Sequence, residues 1–244
     1  GGQANTNSTF GSSNFSGSIQ STVSANTTAG FSIVSYTGTG SNATVGHGLG
    51  SAPKMFIVKN RDDTDDWEVY HESLGNGKAI RLNLTDASFS TSGRWNNTSP
   101  TTSVFSLGTT NAVNNSSEDF IAYCFAEKKF YSKFGSYTGN GNADGTFVYI
   151  GFKPAWLLLK RTDSADNWYL YDNKRDTINP QGVALNADTN GTEFSTSNIV
   201  DFVSNGFKLR SSEVTTNASG GTYIYMAFAE SPFVNSNGIP NNAR

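Results

Sequence analysis

A single cysteine, Cys124, excludes any intrachain disulfide. Its apolar neighbours, Phe120 to Ala126, read as a buried strand, where a thiol resists ionisation and is structural. Charge is scarce: only 15 % of the 244 residues are Asp, Glu, Lys or Arg, against the usual quarter. The 17 basic residues form no block and the net charge is −3, so nothing draws the chain to nucleic acid. The longest apolar run, around Ala155 to Leu159, is strand-sized and far short of the ~18 residues of a membrane span, which argues against membrane insertion. Residues 1–28 are polar and lack the apolar core of a secretory leader; without an initiating Met the chain reads as a fragment or a processed product. No segment sustains a 3.6-residue apolar period, so no helix of ordinary length is expected.

What is present is Ser, Thr, Asn and Gly for turns, and 17 Phe, 10 Tyr and 4 Trp for a core. That mixture suits short strands joined by tight turns. The strongest signal is an internal repeat. Tyr36-Thr37-Gly38-Thr39-Gly40 returns as Tyr137-Thr138-Gly139-Asn140-Gly141, at an offset of 101 residues. Pro53 and Pro154, Lys59 and Lys160, Trp67 and Trp168, and Tyr70 and Tyr171 keep that offset. By the end of each copy it has grown to 103, where Ala126-Glu127 matches Ala229-Glu230. In each copy a fully apolar run, Met55 to Val58 or Trp156 to Leu159, marks a central strand covered on both faces. The expected architecture is therefore all-β: two tandem β-sandwich units, jelly-roll or lectin-like, over 30–129 and 130–233. Residues 1–29 are expected as a polar arm or linker that orders against a partner, and 234–244 as a polar tail.

Few residues carry chemistry. His47 and His71 are the only histidines, and at the 101-residue offset they meet Val148 and Asp172. Neither is required by the repeat, and both read as histidines satisfied by backbone. The acidic turn Asp62, Asp63, Asp65 and Asp66 is a solvated turn first and a weak calcium candidate second, because one loop supplies too few ligands. Asn140 to Gly145 mimics half of a calcium loop but has Gly151 where the closing Glu belongs, so it reads as a turn. Asp66, Glu68 and His71 are the best residues for a polysaccharide-degrading enzyme, with Asp66 and Glu68 on one strand face. Without the separation that divides acid from base, they point to no catalytic site. Trp67 and Trp168 recur and are expected in the cores. Trp95 has no counterpart and sits in the polar string Arg94-Trp95-Asn96-Asn97. A Trp there suits stacking on a sugar ring while the amides bind hydroxyls, or anchoring a subunit contact.

Phe31 to Gly40, followed by His47-Gly48-Leu49-Gly50-Ser51-Ala52-Pro53, resembles a repeat unit of virion proteins in marine phages. So do Ile121 to Glu127 and Phe134 to Gly141. The likeness spans about Thr27 to Phe233, although the second copy lacks the His-Gly-Leu-Gly phrase. The resemblance implies a tail-fibre-like or other structural protein of the phage particle, of a domain type without assigned function. It brings no catalytic residue and no cofactor. The implied location is the virion, and the implied partners are other virion proteins, copies of the chain itself, or host surface polysaccharide. Two roles follow: an appendage segment touching host glycan, or a capsid decoration or purely architectural subunit. An exposed Trp95 favours the first and a buried one the second.

Overall fold

The computed structural model describes residues 11–230. The chain is nearly all β, in several sheets, one of them nearly closed into a barrel. Its strands are β1 (Ser12–Asn14), β2 (Ser21–Asn26), β3 (Phe31–Thr37), β4 (Ala43–Gly46), β5 (Met55–Asn60), β6 (Glu68–His71), β7 (Lys78–Arg81), β8 (Phe89–Ser90), β9 (Val104–Leu107), β10 (Asp119–Phe125), β11 (Ser132–Thr138), β12 (Phe147–Tyr149), β13 (Pro154–Arg161), β14 (Trp168–Asp172), β15 (Gln181–Asn186), β16 (Phe194–Val203), β17 (Gly206–Leu209) and β18 (Thr222–Ala229). Single helical turns, α1 (Asn111–Asn114) and α2 (Val214–Asn217), precede β10 and β18. Among the described residues no helix is long and apolar enough to cross a membrane.

The chain divides into two compact units. The first holds the chain up to Leu82 together with Ser88–Glu127; the second holds Asn83–Ala87 and the chain from Lys128 onward. The excursion of Asn83–Ala87 into the second unit has no signature in the repeat. Its anchor is Lys160, a buried lysine whose Nζ donates to Thr85 O at 3.0 Å and Asp166 O at 2.7 Å.

In the first unit the sheet order is β1-β2-β3-β10-β5-β6-β7-β8, with β4 and β9 forming a separate pair. Val34, Tyr36, Phe56, Val58, Tyr70, Phe105 and Phe120 share one core. Residues 11–29 correct the expectation of a separate arm. Ile19, Val23 and Ala25 are buried in that core, and β2 runs antiparallel to β3 with Val23 opposite Val34. Period-two spacing turns these few apolar side chains to one face, which suffices to dock an otherwise polar segment. Residues 1–10 and the expected tail at 234–244 lie outside the described residues.

In the second unit the order is β11-β18-β13-β14-β15-β16-β17-β12. The long β16 pairs with β15 and, through Val200 to Val203, with β17, so the sheet is continuous. Leu157, Tyr171, Val200, Phe207 and Tyr223, from strands spread along that order, meet in one core, which requires the sheet to curl round on itself.

The Tyr-Thr-Gly-x-Gly motif has the same local cause in both units. Tyr36 stacks on Phe120 at 5.3 Å and donates its hydroxyl to Val113 O at 2.6 Å. Tyr137 stacks on Tyr223 at 4.9 Å and donates to Thr216 O at 2.7 Å. A Cβ on Gly38 would stand 2.1 Å from Asn115 O, and one on Gly139 2.3 Å from Ala218 O. Only glycine lets the strand end pass that close. The carbonyls exposed by the turn are gathered by a buried amide. Asn114 Nδ2 donates to Ser41 O and Gly108 O while its Oδ1 accepts from Thr39 N. Asn217 bonds Asn142 O, Ser211 O and Asn140 N in the same way.

Candidate functional site

Trp95 is not at the surface. It is fully buried in the first core, with its ring edge-on to Phe56 at 4.8 Å and its Nε1 donating to Lys78 O at 3.0 Å. The expectation of a sugar-stacking Trp is therefore overturned. Asn96 and Asn97 take φ of +50° and +46°, a left-handed pair that asparagine tolerates best among residues with side chains. This turn leaves both amides exposed while Trp95 points inward. Arg94 is likewise occupied: its Nε and Nη2 grip Glu68 at 2.6 and 2.7 Å.

Glu68 is 1 % exposed and lies at the centre of an ion cluster. Arg81 Nε lies 3.5 Å from Glu68 and 3.2 Å from Asp66. Both guanidinium groups cover the ring of Phe89, at 4.7 Å for Arg81 and 4.5 Å for Arg94. Held by two guanidinium groups, the Glu68 carboxylate has both oxygens already committed. His71, three residues along the same strand, projects to the opposite face by alternation. Its Nδ1 accepts from Ser73 N at 3.2 Å and caps a short 3₁₀ turn, Glu72–Leu74. The three residues weighed for polysaccharide cleavage are thus not brought to one place.

The acidic turn does not converge either. Asp62 accepts from Asp119 N, Asp63 caps Thr64 N, Asp65 accepts from Asn60 Nδ2, and Asp66 pairs with Arg81. No group of three or more metal-ligating side chains is assembled among the described residues. In the string 140–145, Asn140 Oδ1 and Asn142 Oδ1 cap the amides of Asn142 and Asp144, and Asp144 pairs with Lys208 at 2.7 Å. These are successive side-chain-capped turns. His47 is buried; Nδ1 accepts from Leu49 N at 3.2 Å and Nε2 lies 3.2 Å from Thr101 O. That geometry suits the neutral ring, and burial lowers its pKa. Burial pushes the Cys124 thiol far up, so it is no nucleophile. Trp168 is in the interior as expected, but Trp67 is only half-buried and stacks on Tyr123 at 6.2 Å.

Sequence reasoning passed over an open groove of about 540 Å³ in the second unit. Half-buried Trp156 forms one wall, with Asp172, Lys174, Arg175, Glu193 and Glu230 around it. Arg175 pairs with Asp172 and with Glu193, and Lys174 with Glu230. The signal available was the swap of Met55 for Trp156 between the copies.

The fold and its polar groups define a two-unit, all-β protein whose buried polar side chains mostly hold turns and strand ends. The chain belongs to the family described as Domain of unknown function (DUF7483), whose model matches residues 4–232. One family model therefore spans both units. No curated protein and no solved structure matches the chain.

Proposed function

We propose that this chain is a structural component of a phage virion and that its part there is architectural, as in a capsid decoration or a building segment of an appendage. The observation that carries the choice of role is the burial of Trp95, the aromatic best suited to stack on a host sugar. The virion itself rests on the resemblance of the repeated motifs. A polar, weakly charged composition supports a passive outer surface. On this reading the two units are tandem copies of one β-sandwich, and the recurring Tyr-Thr-Gly corner and its Asn hub are the marks of duplication. No catalytic step and no cofactor belong to it. Its partners are other virion proteins or copies of itself. Immunogold electron microscopy of purified particles tests the reading: regularly placed label is expected, and unlabelled intact particles overturn it.

A second reading is a tail-fibre segment contacting host surface polysaccharide. The groove walled by Trp156 favours it, because a ring beside carboxylates paired with one guanidinium and one ammonium group suits a sugar and its hydroxyls. Titration calorimetry with host envelope polysaccharide decides. Binding lost in Trp156→Ala supports this role, and no heat of binding removes it.

A further inference from the structure

The groove beside Trp156 has a counterpart corner in the first unit, and the two differ in what fills them. In the first, Glu72 N donates to Lys54 O at 2.8 Å where the chain leaves β6. In the second, Asn173 N donates to Ala155 O at 3.0 Å where the chain leaves β14. The 101-residue offset pairs Lys54 with Ala155, Met55 with Trp156 and Glu72 with Asn173. To the shared backbone bond the first unit adds an ion pair between Lys54 and Glu72, and its Met55 is buried. In the second unit that long pair is replaced by the shorter alanine and asparagine, and Trp156 stands half-buried on the wall of an open groove. Trp156 lies across from Asp172 and Phe228, just past a register shift at Pro154, an irregularity of the kind that re-aims a side chain. Its ring leans on Phe228 at 5.7 Å.

The charged groups of the groove are spent on one another. Asp172 accepts from Lys174 N and Arg175 N and pairs with the Arg175 guanidinium, which also pairs with Glu193. Glu230 accepts from the Lys174 ammonium, and Lys153 adds positive charge nearby. Asn173 Oδ1 is the exception. Its amide Nδ2 donates to Glu230 at 3.1 Å, and a carboxylate that can only accept fixes which end of the amide is which. Oδ1 is left buried without a hydrogen-bond partner. A buried acceptor without a donor is costly, and a donor brought by a ligand relieves it.

We propose that this groove binds an uncharged sugar, a hexose or N-acetylhexosamine within a longer glycan, with its ring face on Trp156 and a hydroxyl or amide N–H donating to Asn173 Oδ1. The assignment rests on the reading of the groove as a polysaccharide site and narrows that reading to neutral sugars. A sugar ring offers an apolar C–H face to an aromatic wall and hydroxyl donors at its rim. The two groups the groove leaves without a partner, a ring face and one acceptor, match those two features. An acidic sugar would meet only cations that carboxylates already hold, and a cationic sugar only carboxylates that cations already hold. Either would have to break an ion pair to gain one. A wall acceptor without a donor selects ligands that carry one.

Titration calorimetry of the full chain against neutral hexose and N-acetylhexosamine oligomers, oligogalacturonate and chitosan oligomers tests it. A neutral oligomer should bind, and the acidic and cationic ones should bind at least about tenfold more weakly. Trp156→Met installs the first unit's residue and Asn173→Leu removes the free acceptor; each should weaken neutral binding by about tenfold or more. Ala155→Lys combined with Asn173→Glu transplants the first unit's ion pair and should abolish binding, with circular dichroism unchanged. If that double variant fails to fold, Trp156→Met and Asn173→Leu still read the site. Tighter binding of oligogalacturonate or chitosan, lost in Trp156→Met, would overturn the neutral assignment and leave the polysaccharide reading standing. Neutral binding indifferent to Trp156→Met and Asn173→Leu would overturn the placement in this groove. No heat of binding with any of these oligomers would remove the assignment and the polysaccharide reading together.

Discussion

The mouth of each core is closed at the same place by different chemistry. Glu68 stands opposite Val58 on β5, and Tyr169 stands opposite Leu159 on β13, the corresponding strand. In the first unit Phe89 packs on the core beneath the Arg81 and Arg94 guanidinium groups that Glu68 holds. In the second, Phe194 packs on the core and meets Tyr169 at 6.2 Å, with Tyr169 stacked on Tyr171 at 6.3 Å. One closure is ionic and the other aromatic. What the position demands is a filled and fully partnered layer, so the Glu68 carboxylate is a packing element that happens to be charged.

The largest effect expected on that comparison comes from the side chain behind the ionic closure. Trp95→Ala should destabilise the first unit by about 3–5 kcal/mol in urea unfolding, whereas half-buried Trp67→Ala should cost clearly less. Equal losses would erase the distinction between core and flank. Next, Glu68→Gln leaves two guanidinium groups under-compensated and should cost about 3 kcal/mol. Adding Arg94→Gln should recover part of that loss. If Glu68→Gln leaves the unfolding midpoint unchanged, the ionic closure carries no weight.

A third effect separates the units by pH. Burial lowers the Lys160 pKa from 10.5 to about 8. Between those values the unfolded chain keeps a proton that the folded chain has released, so stability rises with pH across that window, by at most about 3 kcal/mol. Above it the buried tyrosines Tyr36, Tyr137 and Tyr171, whose pKa values burial raises, reverse the trend. Lys160→Met should flatten the rise, and a rise that persists in the variant would assign it elsewhere. The smallest effect is His47 in the first unit. Its lowered pKa means stability is present above the ordinary histidine value and lost as pH falls through it. His47→Asn should blunt that acid sensitivity in thermal melts between neutral and mildly acid pH.

Much of this was legible in the sequence. The apolar runs at 55–58 and 156–159 place β5 and β13 inside their sheets because period and composition suffice for a strand covered on both faces. The Tyr-Thr-Gly motif marked a strand end in each unit, although its partners Asn114 and Asn217 could not be picked from so many asparagines. Trp95 was misplaced because its neighbours are polar, and the consecutive positive φ angles that let it dive inward leave no trace except Asn96-Asn97 itself. The docking of residues 11–29 was hidden for the opposite reason: Ile19, Val23 and Ala25, scattered among serines and threonines, look like linker until a strand aligns them. The groove at Trp156 depends on residues distant in sequence, from Asp172 to Glu230, and no local pattern joins them.

Thr85 offers its carbonyl to the Lys160 ammonium from Asn83–Ala87, a short strap that interrupts the first unit's stretch of chain. Dividing the gene at the obvious seam near Lys128 would give a downstream half whose buried lysine has lost an acceptor, and an upstream half trailing five residues that belong elsewhere. The halves are therefore not cassettes to be shuffled singly. A division that respects this contact would have to keep Asn83–Ala87 with Lys160.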